Sequence, residues 1–411
     1  MAIIAPDYQV ILSYDHRVLG DIRKYAQDLH YVVSSSRYGV DSITFTIDMN
    51  IFSDWLNERL LGFSGFSGDG LRYALKPILL DCVIQRNGED LVGGCLIQMP
   101  HITFTNDSAT LEMTFDGYMN LLDGVIIAPT PTQSKTPNQF ISDWVTTANQ
   151  VSTAFVGSQG GSHGFLIEYD STDSIVLPTI QRTYDSYKTM KEAIFEMCDN
   201  IEGAGEFDVI FLPQIRYDII DVLRPGVSGL YSIPKYIIQN DSSISGQMSL
   251  FYPAGPNGAG IVAIEIEQAD DFASHAFVLG NGDTSSDPSL NTVITSEYPT
   301  TISGTYEFPA YREKIWQYSS ITRQATLDGR AQSLQGHSSK IRWQPTLTLA
   351  GIHIPPSPTA DNGIWIRKRI KIETDKDPLN IFARTAIVRE LEVSVSSTNG
   401  EEVRPLIEFE D

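Results

Sequence analysis

Cysteine is scarce in this sequence: three residues among 411, Cys82, Cys95 and Cys198, with no Cys-x-x-Cys pair. An odd count without paired spacing argues against a disulfide framework. Long apolar runs are also missing. No stretch reaches the ~18 consecutive apolar residues that a membrane-spanning helix needs. Cations are few, with 29 Lys and Arg against 51 Asp and Glu and a net charge of −22. Such a chain is unsuited to gripping nucleic acid, which requires clustered Lys and Arg on the phosphates. The acid excess is spread along the chain without an acidic tail, the pattern of a solvated surface. Residues Met1–Asp7 carry no basic region and too short an apolar stretch for a signal peptide. A protein made in a cytosol and not secreted by that route is expected.

Catalytic patterns are equally sparse. The histidines His16, His30, His101, His163, His275, His337 and His353 form no HExxH, HxH or His/Cys cluster of metal spacing. No GxSxG elbow occurs, and no cysteine sits in a nucleophile signature. The Gly/Ser patch Gly62–Gly70 lacks the Lys-Ser/Thr pair of a phosphate loop and is read as a surface loop. Gly280-Asn281-Gly282-Asp283 lacks the third glycine and the helix of a dinucleotide fingerprint, so turn chemistry explains it better. Asn281, Asp283 and Asp287 match part of a calcium loop, but no Glu follows at the twelfth position. The acid pairs Asp270-Asp271 and Glu401-Glu402 suggest a glycosidase only superficially. Neighbours on a strand point to opposite faces, and surface charge is the preferred reading. The one cationic run, Arg367-Lys368-Arg369-Lys371, alternates with Ile366, Ile370 and Ile372. It is read as a solvated strand face, or as salt bridges to acids of a neighbouring chain, ahead of nucleic-acid binding. No catalytic, cofactor-binding or metal residue is assigned.

What is present is β-pattern. With 42% apolar and 10% aromatic residues the chain can build real cores, and its length suits two or three domains. Ile43, Phe45, Ile47 and Met49 alternate with polar residues as in a half-buried strand. A helix is expected around Phe52, Trp55, Leu56, Leu60 and Leu61. Leu79–Arg86, Asn87-Gly88 and Leu91–Met99 form a hairpin signature, because a type I′ turn needs positive φ at both central residues. Ile102–Phe104 and Leu111–Phe115 then pair across Asn106-Asp107. The four strands predict a meander closing into a small barrel. Cys82 and Cys95 fall on facing strands as small buried hydrophobes.

Ala128–Pro137 has the composition of a linker. Thr136 with Pro137 marks a helix start, followed by Phe140, Trp144, Ala148 and Val151 and ended by glycine-rich Gly157–Gly164. A second helix is expected from Asp185 or Ser186, with Tyr187, Met190, Ile194, Met197 and Ile201 inward and Gly203 at its end. A strand Phe207–Leu212 completes a compact α/β unit. Beyond Tyr231 strands dominate: Ile261–Ile266, Ala276–Leu279, Thr346–Leu349, Trp365–Ile372, Ala386–Val395 and Val403–Phe409, the last two joined at Asn399-Gly400. A helix is expected over Ser320–Leu334 with Ile321, Ala325, Ala331 and Leu334 inward, although Gly329 weakens it.

Three segments resemble a known family. Cys82–Gly94 leading through Leu111–Leu122 is similar to a first tube-type barrel. Thr136–Val145 with Tyr184–Phe207 resembles a helix-plus-sheet insert. Ala386–Val393 with Gly400–Phe409 is similar to the closing strands of a second barrel. In order and pattern nearly the whole chain resembles the phage tail hub and minor tail protein superfamily. That superfamily takes in baseplate hubs, late-control-D-like proteins and the N-terminal hub region of siphophage tail-associated proteins.

The resemblance implies a β-rich α+β fold of two tail-tube-like β-barrels with an inserted α/β unit. It places a first barrel at 1–127, the insert at 128–229 and a second barrel with a helical insertion at 230–411. It implies a homotrimeric ring, without enzymatic activity, joining a hexameric tail tube to a three-fold tip and lining the DNA ejection channel. Expected partners are the distal tail, tail tube and tape measure proteins and tip or fibre proteins, with genomic DNA passing unbound and no membrane span. The expected location is the virion tail tip, after synthesis in the host cytoplasm. Longer members carry a peptidase or lysozyme region; the sequence up to Asp411 shows none, so wall-cutting activity is expected from another chain. Two other readings remain. One is a receptor- or carbohydrate-binding tail module using Trp316, Trp343 and Trp365, for which core packing is preferred. The other is a tail-associated glycosidase.

Overall fold

The computed structural model describes residues 6–36, 39–61, 63, 66–75, 78–105, 108–158, 166–184, 186–198, 206–218, 229–241, 244, 246–253, 260–268, 275–281, 293–299, 313–318, 328, 331, 343–351, 353–375, 377, 381–396 and 400–409. The first third is a series of alternating strands: β1 (Tyr8–Tyr14), β2 (Arg17–Asp21), β3 (Gln27–Ser34) and β4 (Ser42–Asp48). Ile43, Phe45 and Ile47 point into the core as their spacing predicts, and Phe45 stacks on Phe115. Met49 does not continue the strand. The Asp48 carboxylate accepts the N–H groups of Asn50 and Ile51, which caps α1 (Met49–Arg59) and turns the chain. Phe52, Trp55, Leu56 and Leu60 bury against the sheet, while Leu61 is exposed. Gly70 does not stay in the loop expected for Gly62–Gly70: it opens the short helix α2 (Gly70–Ala74), capped by Asp69.

β5 (Leu80–Arg86) and β6 (Glu89–Cys95) form the expected hairpin, with Asn87 at φ 52° and Gly88 at φ 81°. β7 (His101–Phe104) and β8 (Ala109–Gly117) pair as read, with Phe104 opposite Ala109; Asn106 and Asp107 lie outside the described residues. Cys82, Cys95 and Cys198 are free and buried.

The middle region corrects two expectations. Ala128–Pro137 is not a bare linker. After β9 (Ile126–Ile127), β10 (Thr130–Lys135) crosses to β12 (Ile180–Tyr184), and the ladder skips a step around Pro131, which has no N–H to donate. α3 (Pro137–Ser158) starts as read: Thr136 and Gln139 exchange side-chain-to-backbone hydrogen bonds in a capping box. Phe140 and Ala148 are inward, whereas Val151 is exposed. β11 (Glu168–Tyr169) follows. The second helix starts later than read, because β13 (Lys188–Thr189) precedes α4 (Met190–Cys198). A capping box between Thr189 and Glu192 sets that start, and Tyr187 is left exposed. Met190, Ile194 and Met197 form the inward stripe; Asp185, Ile201 and Gly203 lie outside the described residues. β14 (Asp208–Leu212), β15 (Ile215–Asp218), β16 (Gly229–Ser232) and β17 (Lys235–Gln239) complete the region.

The last third contributes β18 (Met248–Tyr252), β19 (Ile261–Gln268), β20 (His275–Asn281), β21 (Val293–Pro299), β22 (Glu313–Tyr318), β23 (Trp343–Ala350), β24 (Arg369–Thr374), β25 (Thr385–Ser396) and β26 (Gly400–Phe409). Of the helix expected over Ser320–Leu334, only Asp328 and Ala331 are described, both helical; Ile321, Ala325 and Leu334 lie outside. Trp365–Arg367 is not strand: the chain turns there with Arg367 at φ 63°, and β24 begins at Arg369.

The fold is β-rich, built on one large, predominantly antiparallel sheet of sixteen strands. Its main path runs β15-β16-β2-β1-β5-β6-β8-β4-β3-β25-β26-β23-β19. The N-terminal and C-terminal thirds therefore share a sheet through the β3–β25 ladder, where Ser34 faces Glu390 and Leu29 faces Val395. The meander does not close on itself: β3 joins the last third, and among the described residues the path keeps two ends, β15 and β19. One apolar core spans both thirds, from Tyr8 to Ile407. A second holds the residues of α3, α4, β14 and β17.

Buried junctions and the candidate assembly surface

Charged side chains converge where distant segments meet. On β5, Arg86 points toward β26, and its Nε and Nη2 each lie 2.9 Å from one oxygen of Glu401. Tyr8 of β1 donates to the same carboxylate, and its Oη lies 3.2 Å from that of Tyr31 on β3. Burial, with Tyr31 and Glu401 beside it, pushes the Tyr8 phenol far above its ordinary range, so it stays a neutral donor. Gly351 makes this approach possible, because a Cβ there would lie 2.5 Å from Glu401 Cγ. Glu401 is thus a buried ion-pair partner, correcting its reading as surface charge. Its neighbour Glu402 faces the other way and pairs with Arg404 at 2.6 Å, as the strand alternation requires.

The cationic run is corrected in the same sense. Arg367 is buried, bonded to Gln239 and Asn240, with Asp208 at 3.8 Å. Arg369 Nη1 donates to the Ile244 carbonyl at 2.7 Å. Lys371 alone takes the exposed strand position, between inward Ile370 and Ile372. From β25, Arg389 holds both Asp241 oxygens at 2.8 and 2.7 Å and Glu408 at 2.9 Å. Three arginines of the last third thus clamp the segment following β17, and their acceptors belong to the same chain.

A third junction joins β1, β5 and β6 to β16. Ser13, Asp81 and Cys95 lie in cross-strand register on one face. Cys95 Sγ donates to Asp81 at 3.1 Å, and the buried His16 ring lies 3.9 Å from Asp81 and 3.0 Å from the Ser232 carbonyl. Burial pushes the Asp81 carboxyl up to about 6, against the opposing pull of His16, and pushes the Cys95 thiol well up. A thiol held protonated and shut from solvent is a poor nucleophile. At the β3–β25 seam, the Asp41 carboxyl accepts the Ser34 N–H at 2.8 Å. Burial pushes Asp41 up to about 7 and also raises Glu390.

The other sequence candidates do not come together. His30 contacts Glu392 at 2.9 Å and His101 sits exposed near Glu112; His163 and His337 lie outside the described residues. Asn281 ends β20, while Asp283, Asp287, Asp270 and Asp271 also lie outside. Trp365 is buried in the main core, Trp343 is on β23, and Trp316 lies on β22 beneath Lys314 at 5.4 Å. Among the described residues no group of three or more His, Cys, Asp or Glu is placed to hold a metal ion, and no helix is long and apolar enough to cross a membrane.

Sequence reasoning places strand β7 at Ile102–Phe104 but misses its exposure. All four of its residues are exposed, with Ile102 and Phe104 on one face and Met99 just before them. The signal available was the short run Met99–Phe104 without an acidic residue in a strongly acidic chain.

No protein-family model matches the chain, and no curated protein matches it in sequence. Its fold is nevertheless shared. The tail protein from Neisseria meningitidis MC58 aligns with a TM-score of 0.56 at 12% identity, covering 98% of this chain and 97% of that one. The 43 kDa tail protein of prophage MuSo2 from Shewanella oneidensis aligns with a TM-score of 0.54 at 12% identity, covering 98% of both chains. From end to end the chain shares the fold of these two tail proteins, as the resemblance to phage tail proteins leads one to expect.

Proposed function

We propose that the chain is the structural hub of a phage tail tip or baseplate, three copies forming a ring between a hexameric tail tube and a three-fold tip. The observation that carries this reading is the continuous sheet through β3 and β25, in a fold shared over nearly the whole chain with tail proteins. In this reading residues 1–127 and 230–411 supply two barrel-like units per chain, six per ring, and residues 128–229 form the insert between them. Buried ion pairs between distant segments support a mechanical role, since Arg86 with Glu401 holds the N-terminal third to the last strand and Arg389 with Asp241 holds β25 to the segment after β17.

The ring docks the distal tail, tail tube and tape measure proteins on one side and tip or fibre proteins on the other. It belongs to the virion and is made in the host cytoplasm. The net charge of −22 suits a channel wall that repels phosphate, so that genomic DNA passes without sticking. No catalytic group is required for this work. Two-dimensional class averages of the purified protein by electron microscopy test the reading. A three-fold ring with a central opening is expected; single-chain or two-fold particles overturn it. An opening lined chiefly by Lys and Arg overturns the repulsive channel.

A further inference from the structure

Among the described residues β7, β15, β18 and β19 of the large sheet each pair on one side only, and two of these edges, β7 and β19, differ in character. β7 pairs with β8 alone, leaving its other edge without a ladder. Ile102 faces Leu111 and Phe104 faces Ala109 across that ladder, so both continue the inward face of β8. Leu111 and Ala109 are 0% and 7% exposed, whereas Ile102 and Phe104 are 41% and 71% exposed. The apolar face of the sheet therefore overhangs its own core. At the far end of the path, β19 pairs with β23 alone. Ile264 and Ile266 face Leu347 and Pro345 on the inward side, and Ile266 is 40% exposed.

We infer that β7 of one copy of this chain adds edge to edge to β19 of a second copy. This rests on the ring reading above and deepens it by naming the surfaces that join the copies. An antiparallel register setting Ile102 against Ile266 also sets Phe104 against Ile264. It covers the overhang with apolar partners and fills both open ladders. The outward face of the same register brings Thr103 beside Glu265, so no acid of β7 meets the exposed carboxylate of β19. Pairing β19 with its own copy would instead bring two Glu265 carboxylates onto one face, which like charges oppose. Because the two edges differ, the contact is head-to-tail, and repetition with a fixed rotation closes a ring.

Cross-linking tests the pairing, since all three native cysteines are buried and leave the background low. Ile102→Cys and Ile266→Cys proteins are prepared separately, then mixed and treated with a short bismaleimide. A two-chain product is expected from the mixture and not from either protein alone. Phe104→Asp is expected to reduce the solution mass from three chains to one. Leu61→Asp, at an equally exposed position on another element, is expected to leave it unchanged. A wild type of three chains whose mixed variants give no cross-link overturns the strand pairing and leaves the ring standing. Cross-linking of Ile102→Cys alone means β7 pairs with β7 and also overturns it. A wild type of one chain at every concentration overturns both.

Discussion

Arg86 and Glu401 stand 315 residues apart in the chain and meet in a two-pronged ion pair, each arm 2.9 Å long, with the Glu401 side chain 2% exposed. This pair closes the N-terminal third onto the C-terminal strand, and its burial makes it sensitive to losing either partner. Removing Arg86 strands a buried carboxylate, so Arg86→Ala is expected to destabilise the fold by about 3–5 kcal/mol. Tyr8→Phe removes one hydrogen bond to the same charge and is expected to cost about 1.5–3 kcal/mol. Urea denaturation of both single variants and the double variant measures the coupling. Strictly additive losses would contradict a shared site.

Two glycines of one hairpin, Gly88 in its turn and Gly93 within β6, test different physics. Gly88 has a positive φ with nothing within 4 Å of a built Cβ, so Gly88→Ala carries only backbone strain, about 1 kcal/mol. Gly93 has ordinary backbone but would push a Cβ to 2.6 Å from the Tyr118 hydroxyl and 2.9 Å from Pro213. Gly93→Ala is expected to cost about 1–3 kcal/mol through overpacking. If adding Tyr118→Ala, which removes both the hydroxyl and the ring edge that crowd this position, leaves the Gly93→Ala loss unchanged, overpacking against Tyr118 is not its cause.

The buried carboxyls give the fold a pH dependence of definite sign. Burial raises Asp81 to about 6 and Asp41 to about 7, from 3.8 in the open chain. Each therefore holds its proton more tightly when folded. The stabilisation is complete below the open-chain value and is lost as pH rises through about 6 for Asp81 and about 7 for Asp41. Relative to wild type, the variant carrying Asp41→Asn and Asp81→Asn is expected to lose less stability between about pH 5 and about pH 8. Equal losses in the two proteins, measured by urea midpoint, would contradict the protonated state of these groups.

Features written in consecutive residues were legible in the sequence. Asn87-Gly88 needs positive φ at both positions and has it. Thr136 and Pro137 start α3 because cap and first-turn chemistry are local. Thr189 with Glu192 is a second local signal, and it starts α4 after exposed Tyr187, later than the expected Asp185 or Ser186. What could not be read is the pairing of β3 with β25. Both strands alternate properly, but alternation says which face is buried and not which strand lies alongside. The same limit hid the junctions. A run such as Arg367–Lys371 looks solvated until the chain brings Asp208, Gln239 and Ile244 against it. Ala128–Pro137 has loop composition, yet β12 supplies a partner that turns it into strand.

The central claim is that these strands tile a closed three-fold collar, and the mass of the purified chain by sedimentation equilibrium addresses it most directly. A mass of three chains, holding over a range of concentration, is predicted. A single chain at every concentration, or a stable pair, would contradict it.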